Sequence, residues 1–252
     1  MSVYQKLAVL LMAACLPIAT LASPAEQLQT AAEAGKVAFL LVTEPGAAGA
    51  DQTGQMIQDA LIQVPGAVVI ELDRTDGANS LLVQKYGLGV APVPLVLVFC
   101  ANGALAGGNV ASQLTSQKLV AMIPSPKKAE VLKAVQSGQA VYLTASRSGM
   151  PSSTVVASGC AAACSQMMGK CVAVDVNIDD PLEMEFLTLL KVNMQSTEPV
   201  TVVINAQGQV TGSFNGPVDV AQLVQAATKK AGGCCPTGSG KSCAPAPKKK
   251  GS

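Results

Sequence analysis

Val93-Pro94-Leu95-Val96-Leu97-Val98-Phe99, with Asn102-Gly103 just beyond it, is the stretch on which the architecture turns. An unbroken apolar run of this length, headed by proline, reads as a buried strand, and the Asn-Gly pair is a hairpin signal that folds it back on a short antiparallel edge partner. The pattern returns as Pro199-Val-Thr-Val-Val-Ile204 with Gln207-Gly208, and the gap from proline to glycine is nine in both copies.

Working outward, the second copy follows the first at an offset of about 103 residues. Ser23-Pro24 and the stretch Gln27-Leu-Gln-Thr-Ala-Ala-Glu-Ala-Gly35 answer to Ser125-Pro126 and the stretch Val131-Leu-Lys-Ala-Val-Gln-Ser-Gly138, Gly35 standing against Gly138, while Val37-Ala-Phe-Leu-Leu-Val-Thr43 answers to Ala140-Val-Tyr-Leu-Thr144. Ala67-Val-Val-Ile-Glu-Leu-Asp73 is matched by Cys171-Val-Ala-Val-Asp-Val-Asn177. So many landmarks at a nearly constant offset indicate two like domains in tandem, residues 24–124 and 125–231.

Each copy has the same order of elements. A short amphipathic helix (Ala25 to Ala34; Lys127 to Ser137) stops at a glycine suited to a left-handed cap. A buried strand, a helix (about Thr53 to Gln63; about Ser152 to Met168) and a second apolar strand follow, and β-branched runs alternating with helices imply parallel strands covered on both faces. A third helix (about Ser80 to Tyr86; about Leu182 to Lys191) leads to the proline-headed strand and its hairpin partner. A last helix (about Thr115 to Ile123; about Val218 to Lys230) closes the copy. The expected class is α/β, a central mixed sheet flanked by helices, twice.

An α/β unit of this size whose proline-headed strand begins Val93-Pro94 after Tyr86-Gly87-Leu-Gly-Val90 resembles the thioredoxin-like superfamily. The resemblance spans about residues 24 to 231 and implies a cis peptide before the strand's proline, for which Val93-Pro94 and Glu198-Pro199 are the candidates. Catalytic members carry Trp-Cys-x-x-Cys where the first strand meets the next helix, because a helix N-terminus lowers the thiol pKa. The corresponding stretches here, Glu44-Pro-Gly-Ala-Ala-Gly-Ala-Asp51 and Ser146-Arg-Ser-Gly-Met-Pro-Ser152, hold no cysteine. The usual chemistry is therefore not carried over to either copy.

The cysteines lie elsewhere. Cys100 ends the first proline-headed strand and reads as a small buried hydrophobe. Cys160 and Cys164 are one helical turn apart and share a face, a spacing open to chelation or to core packing. The resemblance implies that Cys164, Cys171 and the tail cysteines Cys234, Cys235 and Cys243 gather at the pole opposite the prolines. Six candidates (Cys160, Cys164, Cys171, Cys234, Cys235, Cys243) allow 15 pairing schemes and the sequence does not choose among them. Either disulfides anchor the tail to the second domain or thiolates bind a soft metal, Zn²⁺ or Cu⁺. Met167-Met168 could add thioether ligands or fill core gaps. The acidic group Asp175, Asp179, Asp180, Glu183 and Glu185 reads as a solvated cluster complementing a helix start.

The two ends differ from the body. Leu7 to Ala22 is apolar or small after Lys6 and reads as a secretory signal, residues 1–22, too short and too broken by Pro17 for a membrane span. Leu11-Met-Ala-Ala-Cys15 loosely matches a lipobox, which leaves a lipid anchor at Cys15 open. The mature chain is expected outside the cytoplasm, periplasmic or secreted, where disulfides persist. Residues 232–252 form a flexible Cys-, Pro- and Lys-rich tail whose Cys235-Pro-Thr-Gly-Ser-Gly-Lys-Ser242 imitates a phosphate-binding loop without the first glycine or the strand and helix it requires, so no nucleotide is expected. Lys6 and six lysines from Lys229 onward leave ten basic against sixteen acidic residues in the body, about −6, which repels nucleic acid. The chain has no histidine, so Ser-His-Asp and Cys-His catalysis and His-based zinc sites are excluded.

The expectation is an exported, redox-inactive module. Its two cis-proline surfaces, Val93-Pro94 and Glu198-Pro199, would bind a partner protein or extended peptide, with the tail docked on the second domain. Two alternatives stay open: a thiol-disulfide oxidoreductase working through Cys160, Cys164 and the tail cysteines, and a Zn²⁺ or Cu⁺ thiolate protein.

Overall fold

The structure is a computed structural model and describes residues 22–230. The expected signal segment with Cys15, and the tail with Cys234, Cys235 and Cys243, lie outside the described residues. The first unit runs α1 (Pro24–Glu33), β1 (Ala38–Thr43), α2 (Ala50–Gln63), β2 (Val68–Asp73), α3 (Ser80–Lys85), β3 (Leu95–Phe99), β4 (Leu105–Val110) and α4 (Ser116–Ala121). The second repeats it as α5 (Pro126–Gln136), β5 (Ala140–Ser146), α6 (Ser153–Gln166), β6 (Cys171–Asn177), α7 (Met184–Leu189), β7 (Val200–Ile204), β8 (Val210–Asn215) and α8 (Val220–Thr228).

The sheets have the same topology, β2-β1-β3-β4 and β6-β5-β7-β8. β1 is parallel to β2 and antiparallel to β3, which pairs antiparallel with β4; the second sheet does likewise. These are two four-stranded mixed sheets flanked by helices, the thioredoxin-like arrangement. β1 is apolar without interruption because it is covered twice. Leu40 and Val42 face α1 and the turn after α3 with Leu28, Ala31 and Leu88, while Phe39 and Leu41 face α2 and α4 with Ile57, Ala60 and Leu119. A fully buried side chain of this size contributes roughly 1.5–3 kcal/mol.

The two leading helices start differently. α1 is closed by a capping box in which Ser23 and Glu26 bond reciprocally. α5 is capped from a distance: the buried Glu183 carboxylate, just before α7, accepts from Ser125 Oγ at 2.6 Å and Lys127 N at 2.9 Å. Glu183, expected to be solvated, is thus a structural acceptor beneath the junction of the units.

The units also meet along β4, the edge of the first sheet. Gln136, the last residue of α5, accepts from Leu105 N at 2.9 Å and donates to Leu105 O at 2.7 Å, so one side-chain amide stands in for a neighbouring strand. Asn102 Nδ2 donates to Ala129 O at 2.8 Å, and Cys100, Ala104 and Ala129 pack together with Leu132. Covering an edge in this way removes a template for unwanted pairing.

Candidate functional site

The pole of the first unit at the C-terminal end of β1 is built by three segments. The β1–α2 loop reaches Gly49, whose φ of 82° lets the chain turn into α2, and Thr53 bonds back to the Gly49 carbonyl through Oγ1 at 2.7 Å. The Val93–Pro94 bond before β3 is cis. The segment after β4 closes over it, with Ala111 N donating to Pro94 O at 2.9 Å. Between them lies a cleft of about 640 Å³, walled by Ala48, Gly49, Gln52, Thr53 and Met56, by Pro92–Pro94, and by Val110–Ser112. No cysteine and no charged side chain lines it. A second hollow of about 560 Å³ continues around the loop past Glu44, Asp51 and Asp73, so a neutral cleft opens onto an acidic rim. Two hydrogen bonds from Thr75 hold the Asp73 carboxyl below the usual carboxylate range.

Arg74 fixes this pole. Its guanidinium bonds Glu44 Oε2 through Nε at 2.7 Å and through Nη2 at 2.6 Å, and Nη1 donates to the carbonyls of Leu88 and Ala91. The β1–α2 loop and the segment entering Pro94 are thereby tied together. The second unit solves the same problem with the charges exchanged. Arg147 comes from the β5–α6 loop, makes a forked contact with Asp179 at 3.0–3.2 Å, and donates to Met194 O at 2.9 Å.

Glu198–Pro199 corrects the expectation of a second cis-proline surface: the cis peptide among the described residues is Val93–Pro94 alone. The trans isomer is the favoured one for an X–Pro bond. Here Ser196 holds Glu198 in place by donating to its carbonyl at 2.6 Å and accepting from its N–H at 3.3 Å. Glu198 Oε2 is enclosed there without a hydrogen-bond partner.

Two of the cysteines expected to gather at the pole opposite the prolines, Cys164 and Cys171, meet there. Cys164, in the last turn of α6, is bonded to Cys171, the first residue of β6, with Cα atoms 5.1 Å apart. Left-handed Met168 (φ 48°) and Gly169 (φ 79°) make the tight return that brings them together. The chelating face proposed for Cys160 and Cys164 is not formed, because Cys160 turns into the core against Thr144 Oγ1 at 3.7 Å while Cys164 is consumed in the bond. Disulfides from Cys164 or Cys171 to the tail are likewise replaced by this pairing. Among the described residues no group of three or more His, Cys, Asp or Glu side chains could hold a metal. The bond lies at the pole away from Pro199, the full length of β5 distant, roughly 20 Å.

Burial raises the Cys160 thiol above its ordinary range, and the weaker pull of the Thr144 and Thr201 hydroxyls does not reverse this. Burial also raises Cys100, which sits where the units meet. Neither is a nucleophile at neutral pH. Sequence reasoning missed what surrounds Cys160. The strand registers put Thr144 and Thr201 opposite each other where the first unit has Leu41 and Val96, and Cys160 takes the place of Ile57. Aligning the copies column by column carries that signal.

No family model matches the chain, and no curated protein matches it. Among solved structures it is similar to a disulphide isomerase from Xylella fastidiosa Temecula1, at 19% identity over 43% of this chain and 95% of that one, with a TM-score of 0.30. It is also similar to the NTD_N/C domain of alkylhydroperoxide reductase AhpF from Enterococcus faecalis, at 14% identity over 81% of this chain and 99% of that one, TM-score 0.25. The zinc-bound form of human ERp44 matches at 10% identity over 79% of this chain and 54% of that one, TM-score 0.33. At this distance the likeness assigns no activity.

Proposed function

We propose that this is an exported, redox-inactive interaction module whose first unit binds an extended segment of a partner protein in the cleft beside Pro94. The observation that carries the reading is the cleft itself. It is open and pre-formed, lined by small, apolar and amide side chains, and has no thiol where a dithiol would act. Main-chain groups of an extended peptide suit such walls, and Asp51 and Asp73 on the rim favour a basic residue beside the bound stretch. Arg74 keeps the walls at a fixed separation, which lowers the ordering cost of binding. The test is a random dodecapeptide library panned on the mature protein. Enriched peptides are expected to carry Lys or Arg and to lose binding when exposed Ala48 is replaced by Trp, which fills the cleft. Binders indifferent to Ala48→Trp would contradict the reading.

One observation favours a second reading, thiol-disulfide exchange at the other pole. Cys164 is only partly buried, so an external thiolate can reach the Cys164–Cys171 bond. Under this reading Cys160 stays protonated and takes no part.

A further inference from the structure

The two units present equivalent sheet edges, and the chain treats them differently. At β4 the outward N–H and C=O of Leu105 are both taken by Gln136 of α5. The equivalent residue of β8 is Val210, since Leu105 pairs with Phe99 as Val210 pairs with Ile204. No group among the described residues bonds its outward N–H or C=O, and Val210 is 52% exposed. β8 reads Val210-Thr-Gly-Ser-Phe-Asn215, with no charge and no proline, the residues that ordinarily blunt a free edge. Beside it, between β8 and α8, runs a groove of about 590 Å³ whose floor is Phe214 and Ala226, whose walls include Thr211, Gln222 and Gln225, and whose single charge is Lys229.

We infer that β8 is a second docking site, at which an extended acidic segment of a partner protein adds as a fifth strand and sets a carboxylate against Lys229. The mode is strand addition: main-chain bonds supply the affinity, and the groove reads alternate side chains. Two other occupants are disfavoured. A second copy offering α1 as α5 is offered to β4 would place Glu26, Gln29 and Glu33 where α5 has Ala129, Leu132 and Gln136. Glu33 has no N–H for a strand carbonyl, and Glu26 is already engaged by Ser23. Two β8 edges paired about a two-fold axis would join six residues a side, well short of the roughly 20–30 that a stable interface uses.

The site is independent of the Pro94 cleft, so the test is run with that cleft closed. The same dodecapeptide library is panned on the full mature chain carrying Ala48→Trp. Val210→Pro removes the outward N–H at the first residue of β8, where proline leaves the ladder to β7 intact. Lys229→Glu reverses the groove's charge at an exposed position and guards against misfolding of the proline variant. Enriched peptides are expected to be rich in Asp or Glu, to weaken about tenfold with Val210→Pro, and to weaken several-fold with Lys229→Glu. Recovery of no binder, binders unaffected by both substitutions, or a dimer that Val210→Pro dissociates would each overturn the inference. Loss of binding from Ala48→Trp in the parent chain bears only on the Pro94 cleft.

Discussion

Arg74 and Arg147 do one task from opposite sides of their poles, and the difference sets what each substitution does. Arg74→Met leaves the Glu44 carboxylate and two carbonyls without their donor in a half-buried setting, and is expected to lower stability by about 2 kcal/mol in urea unfolding and to weaken peptide binding beside Pro94. Thr201 is the opposite case. Its hydroxyl is buried without a hydrogen-bond partner of ordinary geometry, and the first unit has Val96 in that place. Thr201→Val is therefore expected to stabilise the protein by about 1 kcal/mol, read as a higher urea midpoint with unchanged slope. Tyr142 is buried and its hydroxyl, donating to Met167 Sδ, is pushed up to about 12. A raised acid is neutral in the folded state after its unfolded counterpart has ionised, so this contribution is intact below about pH 10 and is lost as the pH climbs toward 12. The alkaline fall in stability across that window is expected to be smaller in Tyr142→Phe.

At the scale of elements, the α6–β6 connection is held by the Cys164–Cys171 bond across a sequence separation of 7. A loop that short places the loss in the double variant Cys164→Ser/Cys171→Ser at roughly 2–3 kcal/mol. Binding beside Pro94 is expected to be unchanged, because the bond lies in the other unit at the pole away from its proline. The elements themselves were legible in the sequence because the inner strands β1, β3, β5 and β7 are predominantly apolar runs and each hairpin carries Asn-Gly or Gln-Gly. The Pro94 pole was legible too, through Tyr86-Gly87 and Val93-Pro94. What the sequence did not carry depends on neighbours distant along the chain. Glu198-Pro199 looks like Val93-Pro94 until Ser196 is seen to hold Glu198. Cys164 and Cys171 form one of many pairings until a left-handed turn at Met168 and Gly169 joins a helix end to a strand start. Arg74, 30 residues from Glu44, belongs to the same class.

Across the whole molecule, the repeat is not two independent copies. The second unit lends α5 to the first unit's edge, buries Cys100 under Ala129, and caps α5 with its own Glu183. Cys100 thus reports on separation of the units. In the native protein it is expected to resist iodoacetamide at pH 8, and Gln136→Ala is expected to hasten its labelling by loosening the β4 clamp, with peptide mass analysis as the readout. Among the described residues, the Pro94 cleft at one pole and the β8 edge at the far side of the second sheet are open to solvent, surfaces suited to binding. The measurement that bears most directly on this account is insulin reduction followed in the presence of excess dithiothreitol. The rate is expected to equal that of dithiothreitol alone; turnover above it that Cys164→Ser abolishes would contradict the binding account.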